Sequence, residues 1–437
     1  MAGFRSDAVT RGVDSTVPVV TGYGEKEPRL RCVVNTYGRR PANAIRYGID
    51  VAAAPVAVVT MADGCDATNS FRWQADGGAD PRPGAARTRG ERQVMAKETV
   101  LISGSAGFIG GYVVEELLRR GYAVVGVDNY SKYGRVAKSY DRHPDYEFVE
   151  GDCRDVALMT RLLADCDHFI AGAAMIGGIS YFHTYAYDLL ATNERIIAAS
   201  CDAAIAAHRA ARLQKVTYLS SSMVFESTNE WPSYEGQERE VPPPRSSYGF
   251  QKLAVEYFAR AAWDQYRLPY TIVRPFNCVG IGESRALGDA GILSGNVQLA
   301  MSHVVPDLVQ KVLRGQEPLH ILGSGEQVRH YTYGGDLARG VVDAMQHEDA
   351  RNEDFNLSIA RGTTVLEVAE AIWRKVKGPG APLRVVHDAP FERDVQRRIP
   401  STEKAKRILG FEATTTLDEM LDEVIPWIDQ AIKAGTI

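Results

Sequence analysis

Between residues 98 and 128 the apolar positions change rhythm twice. Val100, Leu101 and Ile102 form a continuous apolar run that stops at Gly104, the pattern of a parallel strand buried on both faces. Val113, Val114, Leu117 and Leu118 then recur at helical spacing, Gly121 ends that helix, and 123–127 is a second apolar run. The strand pattern returns at 146–149, 168–171 and 215–220, with helices expected over 156–163 and 185–210. Such alternation predicts an α/β fold, a doubly wound parallel sheet whose ligands bind beyond the carboxyl ends of its strands. From 279 to the C-terminus a smaller α/β region is expected. It includes a lid-like loop over 283–296 and a helix over 301–313 that Pro306 interrupts, with His303 as a structural residue at its start.

Residues 1–95 stand apart. From 71 to 94, Arg, Gly, Pro and Ala displace apolar periodicity, a composition that cannot bury a core and reads as disordered linker. Before it, 35–66 resembles one internal piece of a family 2 glycosyltransferase of the dolichyl-phosphate-mannose-synthase type: a helix over 41–49, a strand over 56–61 and an acidic turn. The resemblance implies Asp63 and Asp66 as ligands of a metal and a sugar nucleotide. About 35 residues without the opening strands and the acceptor half cannot build such a site, so the segment reads as sequence mimicry without a fold. Met95 directly precedes the first strand, so 1–94 reads as an upstream extension, a vestige of a neighbouring coding region that is dispensable for activity and stability.

A chain of 437 residues has room for two or three domains. The boundaries expected are 96–278 for a cofactor-binding domain and 279–437 for a substrate-binding region. A formal net charge of −5 argues against nucleic acid as the main partner. No run of roughly twenty apolar residues and no signal pattern is present, which argues against membrane insertion and secretion. Six cysteines without a Cys-x-x-Cys pair read as reduced thiols in a cytoplasmic protein, with no metal site.

The chemistry starts at Gly104, Gly107 and Gly110, which fall three apart. Absent side chains let the backbone turn, approach a pyrophosphate and pack the next helix, which opens with Phe108 and Ile109, against the strand. The phosphate then sits on that helix's N-terminus. Asp128, closing the second strand, can accept from an adenosine ribose and repels a 2′-phosphate, so NAD is expected rather than NADP. Asp152, followed by Cys153, can reach adenine's exocyclic amine; it can equally cap the helix over 156–163. Ala171 and the small residues after it let the cofactor lie against backbone.

Ser221 and Ser222 follow the fifth strand, and Tyr248 and Lys252 come later at helical i, i+4 spacing. An ammonium there can stabilise a phenolate and lower the tyrosine's pKa toward neutrality. Such a phenolate is a general base for a sugar hydroxyl while hydride leaves for nicotinamide, with Ser221 sharing that hydroxyl.

From 98 to the C-terminus, about three quarters of its length, the chain resembles the extended short-chain dehydrogenase/reductase family, specifically its NAD-dependent nucleotide-sugar epimerases and dehydratases. The likeness rests on the glycine triplet, Asp128, Ser221, Tyr248 and Lys252, Arg274-Pro275-Phe276-Asn277, and Arg329. It implies a Rossmann fold, catalytic Ser221, Tyr248 and Lys252, Pro275 shaping the nicotinamide loop, Asn277 and Arg329 on the nucleotide diphosphate, and a homodimer through helices near 185–210 and 248–265. Arg397 and Arg398 are further phosphate candidates. Family dehydratases carry an acidic pair where this chain has Ser222 and Met223, and 3,5-epimerases carry an acid/base at Met223, although Gly177-Gly178 resembles the latter's glycine-rich loop. The resemblance therefore points to 4-epimerisation of a UDP-hexose or UDP-hexuronate with retained NAD, ahead of dehydratase, decarboxylase or ketoreductase chemistry and of a non-catalytic NAD sensor. Ala171, Phe225, His330 and Gly335 depart from the family's histidine, tyrosine and two aspartates, while Asn193 matches its structural asparagine.

Overall fold

The sheet at the centre of this computed structural model takes its order from the runs just described. The structure describes residues 97–437 apart from 178–183, 288–291, 300–302 and 391–394, together with a short antiparallel pair, Val19–Val20 and Cys32–Val33. The chain divides into two units, Met1–Arg92 and Gln93–Ile437. The glycosyltransferase-like segment with Asp63 and Asp66, and the linker after it, lie outside the described residues, as do Gly178 and Met301.

In the second unit β1 (Thr99–Ser103), β2 (Ala123–Asp128), β3 (Tyr146–Glu150), β4 (His168–Ala171), β5 (Lys215–Leu219), β6 (Tyr270–Pro275) and β7 (Glu353–Leu357) form one parallel sheet in the order β7-β6-β5-β4-β1-β2-β3. Val100 and Ile102 face the cluster shared with α1 (Phe108–Arg119) and α6 (Gly334–Gln346); Leu101, between them, faces the opposite cluster. That second layer holds α2 (Val156–Leu163), α3 (Ala186–Arg209) and α4 (Ser247–Tyr266). Alternation on a strand with both faces covered explains the unbroken apolar run: all three side chains are at most 1% exposed. Each contributes roughly 1.5–3 kcal/mol by burial.

β7 comes from within the stretch 279–437, so the chain returns to the sheet after leaving it. In the rest of that stretch α5 (Val304–Leu313), α7 (Val365–Lys377) and α8 (Leu417–Ala434) pack a core of their own, whereas α6 belongs to the cluster with α1. Pro306 does not interrupt α5, contrary to the expectation. It is the third residue of the helix, where an N–H would have no intrahelical acceptor to lose. The stretch 283–296 is not all loop either, since Ile292–Ser294 pairs with Val297–Leu299 and Leu287 N–H donates to Lys132 O at 2.7 Å.

Candidate active site

A cleft of about 690 Å³ opens where β1, β4, β5 and β6 end. Gly104 leaves β1 at φ +81°, and its N–H donates to Val127 O at 2.8 Å, so the chain turns within one residue and hooks onto β2. A Cβ at Gly110 would lie 2.0 Å from Gly104 O, so only glycine lets α1 sit this close to the turn. The result is a helix N-terminus framed by backbone, a seat for a pyrophosphate. Gly110→Ala should lower NAD affinity about tenfold or more by displacing this turn. Titration of the nucleotide-free protein measures it, and an unchanged Kd would place the pyrophosphate elsewhere.

Asp128 lies on the cleft wall. Burial raises its pKa, opposed by the N–H groups of Tyr130 at 2.8 Å and Ala106 at 3.2 Å, which fix the carboxylate while leaving lone pairs for a ribose. Asp152 and Cys153 also line the cleft, Asp152 paired with Arg154, and the Cys153 thiol pushed up to about 12 by burial. The cap of α2 is Asp155 rather than Asp152, because Asp155 stands directly before Val156 in extended geometry and accepts from Ala157 N and Leu158 N. Ala171 does not line the cleft. Its neighbour Ile170 faces the α1 layer, so Ala171, one residue on, packs on the α3 side, and Gly172, Ala173 and Ala174 form the wall instead.

Two residues hold that wall: Ser103, which sequence reasoning missed, and Asn193, which it matched to the family's structural asparagine. Ser103 Oγ accepts from Gly172 N and Ala173 N at 3.1 and 3.2 Å. Asn193 on α3 pairs both ways with the main chain of Met175, at 2.6 and 2.9 Å. An isolated serine at a strand end carries no signal; a buried helix-interior amide does.

Ser221, Tyr248 and Lys252 all line the same cleft. Ser221 caps the short turn Ser222–Phe225, accepting from Met223 N at 3.2 Å, and its hydroxyl bonds that of Tyr248. Ser246 caps α4 through Gly249 N at 3.0 Å, which sets Tyr248 and Lys252 on its opening turns. Glu226, unmarked by the sequence pattern, holds Ser246 by its N–H at 3.0 Å and its hydroxyl at 2.7 Å. Lys252 Nζ donates to Leu219 O at 2.9 Å and lies 5.9 Å from the Tyr248 ring centroid. Burial draws the Lys252 amine down to about 8. Burial also raises the Tyr248 phenol, against the weaker opposing effects of Ser221 and Arg398. The expected drop toward neutrality through Lys252 is therefore absent from this geometry. The phenol packs in an apolar cluster with Leu189 and Met223, and the ammonium is turned to a carbonyl.

At the far end of the cleft, Val328–Arg329 pairs with Thr363–Thr364 on one side and bridges to Arg397 on the other. This edge presents Arg329 and Arg398 to the cleft; Arg397, between Gln396 and Arg398, stacks over Trp231 at 5.8 Å instead. Arg329 Nη1 donates to Val328 O at 3.0 Å. Arg398 reaches inward, with Nη2 2.8 Å from Met223 Sδ and Nη1 3.4 Å from Asn277 Oδ1. Ser222, Pro275 and Asn277 line the cleft beside them. His303 also lies on the wall, its ring on the buried carboxylate of Glu283. His330 turns away to Ile359 O at 2.9 Å.

A glycine cradle, an acid closing β2 and small residues after β4 fit a dinucleotide at one end. Paired arginines fit an anionic substrate at the other. Comparisons with known proteins bear on the family and the fold. Residues 100–358 match the model of the NAD dependent epimerase/dehydratase family. The UDP-glucose 4-epimerase of Halalkalibacterium halodurans is 27% identical over 347 residues, covering 75% of this chain and 95% of that protein. The structure of UDP-glucose 4-epimerase with UDP-glucose from Thermotoga maritima is similar with a TM-score of 0.63 and 27% identity, covering 76% of this chain and 99% of that one. That of the Bifidobacterium longum UDP-glucose 4-epimerase with NAD+ and UDP gives 0.62 and 26%, covering 77% and 99%. A Rossmann-like sheet, a glycine turn at its cofactor end and a match spanning more than half the sequence lead to one conclusion: this chain belongs to the NAD dependent epimerase/dehydratase family, of the extended short-chain dehydrogenase/reductase type.

Proposed function

We propose that the protein inverts C4 of a UDP-hexose or UDP-hexuronate through a 4-keto sugar, with NAD retained between turnovers. The observation that carries this reading is the arrangement in one cleft of Ser221, Tyr248 and Lys252, with Ser222 and Met223, neither able to protonate a leaving hydroxyl, beside them. Gly104, Gly107, Phe108, Ile109, Gly110, Asp128, Asp152, Cys153 and Pro275 would hold the cofactor, which supplies the acceptor and later the donor of the C4 hydride. Tyr248, as phenolate, takes the O4 proton as the C4–H bond is lost. Ser221 hydrogen-bonds the same oxygen, and Lys252 favours the ionised phenol. After the keto sugar turns over, Tyr248 returns its proton to O4 as hydride reaches the opposite face. The proton and the hydride are both restored, so no external reductant is consumed.

On the same reading 96–278 together with 334–357 form the cofactor half, the remainder of 279–437 is the nucleotide-sugar half, and residues 1–94 are not needed. The outer faces of α3 and α4, where Tyr187, Phe250 and Tyr257 are exposed, form a homodimer. The purified protein should release NAD on denaturation and interconvert C4-epimeric UDP-sugars with none added, as read by NMR. A 4-keto product, or net consumption of NADH, would replace epimerisation with dehydratase or ketoreductase chemistry.

A further inference from the structure

The proposed reaction leaves the sugar's other substituents open, and Arg398 bears on them. Its main chain is fixed, with Arg398 N–H on Val328 O at 3.2 Å, so the side chain's direction is set by the strand edge that carries it. That direction is toward the reacting centre. Nη2 rests 2.8 Å from the thioether of Met223, which itself packs against Tyr248 in the cluster with Leu189. The guanidinium is thus one side chain away from the base that would take the O4 proton.

On a hexopyranose the diphosphate leaves from C1, across the ring from C4. The substituents next to C4 are the hydroxyl on C3 and C6, carried by C5, and of the two only C6, when oxidised to a carboxylate, bears a charge for a cation to meet. A cation beside the C4 base therefore meets C6 before it meets phosphate, while Arg329, held at the outer end by Val328 O and Gln396 O, is placed for the diphosphate. Sulfur is a weak acceptor for a guanidinium. A carboxylate oxygen in its place makes a charge-assisted bond roughly twice as strong as a neutral one.

We propose that the substrate's sugar is a hexuronate and that Arg398 binds its C6 carboxylate beside Met223. This rests on the 4-epimerase reading above. It also gives Arg398 a chemical task. Oxidation at C4 makes the C6 carboxylate that of a β-keto acid, which loses CO2 when the C5–C6 electron pair moves toward the ketone. Pairing with a guanidinium stabilises the carboxylate's charge and so opposes that loss.

The test uses the NAD-loaded full-length protein with UDP-glucuronate, UDP-glucose and UDP. The wild type should favour UDP-glucuronate over UDP-glucose in kcat/KM. Arg398→Met should lower kcat/KM for UDP-glucuronate about 100-fold, much more than it weakens UDP binding, with Arg398→Lys intermediate. Met223→Glu, which sets a fixed carboxylate against the same guanidinium, should impair the uronate in the same direction. Equal losses for all three ligands in Arg398→Met, or a wild-type preference for UDP-glucose, would overturn the proposal and return Arg398 to the phosphates. Calorimetric titration separates the two readings. Arg398-dependent binding of UDP-glucuronate with no epimer formed supports the carboxylate site and sinks the epimerase, whereas CO2 released by the wild type would overturn the protective task given to Arg398.

Discussion

Tyr248→Phe is expected to lower kcat by about 10³-fold or more, in the upper range for loss of a general acid-base, while KM for the UDP-sugar and retained NAD stay close to wild type. The substitution removes one oxygen from a ring that is 7% exposed and otherwise packs against Leu189 and Met223, so the fold has no reason to change. The pH profile of the wild type carries further information. The productive form needs an ionised phenol and a charged amine, yet burial raises the phenol above its usual value and lowers Lys252 to about 8. The productive species is then a minor one. The profile of kcat/KM should be a bell whose acid limb falls near 8 and whose alkaline limb lies above the ordinary tyrosine range, the two values belonging to the pair. A Tyr248→Phe enzyme with wild-type turnover would remove the phenolate from the mechanism.

Arg274→Met should cost about 3–5 kcal/mol of stability, the usual range for breaking a buried ion pair from one side. Arg274 is fully buried. It meets Glu256 through two bonds of 2.7 Å, Asp354 at 2.7 Å and Glu238 at 3.2 Å. Methionine fills a similar volume but leaves carboxylates without their central cation. Urea unfolding measures the loss, and a shift below 1 kcal/mol would show that Arg260 and Lys404 neutralise the cluster unaided. The pH dependence has a definite sign. Burial raises the Asp354 pKa, but Arg274 and Lys404 together more than reverse this and hold it well below the usual carboxylate range. A depressed folded-state pKa gives stability that is complete above the unfolded value near 4 and is lost as pH falls through the folded one. Wild-type stability should therefore decline progressively below about pH 4, and less so in Arg274→Met.

The same cluster touches the active site. Ser220 Oγ donates to Glu256 at 2.7 Å, Glu256 lies one turn beyond Lys252, and Arg274 precedes Pro275. Loss of stability and loss of turnover should thus travel together in Glu256 variants, unlike in Tyr248→Phe.

Elements with a repeating local pattern were legible in the sequence. The five strands from β1 to β5 and the helix expected over 185–210 fall within a residue or two of where apolar periodicity put them. β6 and β7 were not anticipated, although Tyr270 to Val273 is a β-rich run. What makes β7 a strand is its neighbour β6 and the ion pair between Asp354 and Arg274, contacts some eighty residues apart in sequence. The glycine turn was readable because a backbone requirement leaves a residue-type signature. Glu226, Ser103 and the opposite directions of Arg397 and Arg398 were not, because they depend on which loop a side chain meets. The ionisation of Tyr248 was misjudged for a related reason. Spacing puts Lys252 near the ring, but burial and the Leu219 carbonyl decide what the ammonium does.

The return of Glu353–Leu357 to the outer edge of the sheet limits how this protein can be re-engineered. A graft that exchanged everything after residue 278 for the corresponding part of another enzyme, in the hope of importing a new specificity, would also exchange the last strand and Asp354, one of the three acids around Arg274. A workable chimera would have to swap two separate inserts, one on either side of the span from Gly334 to Leu357, and leave that span native.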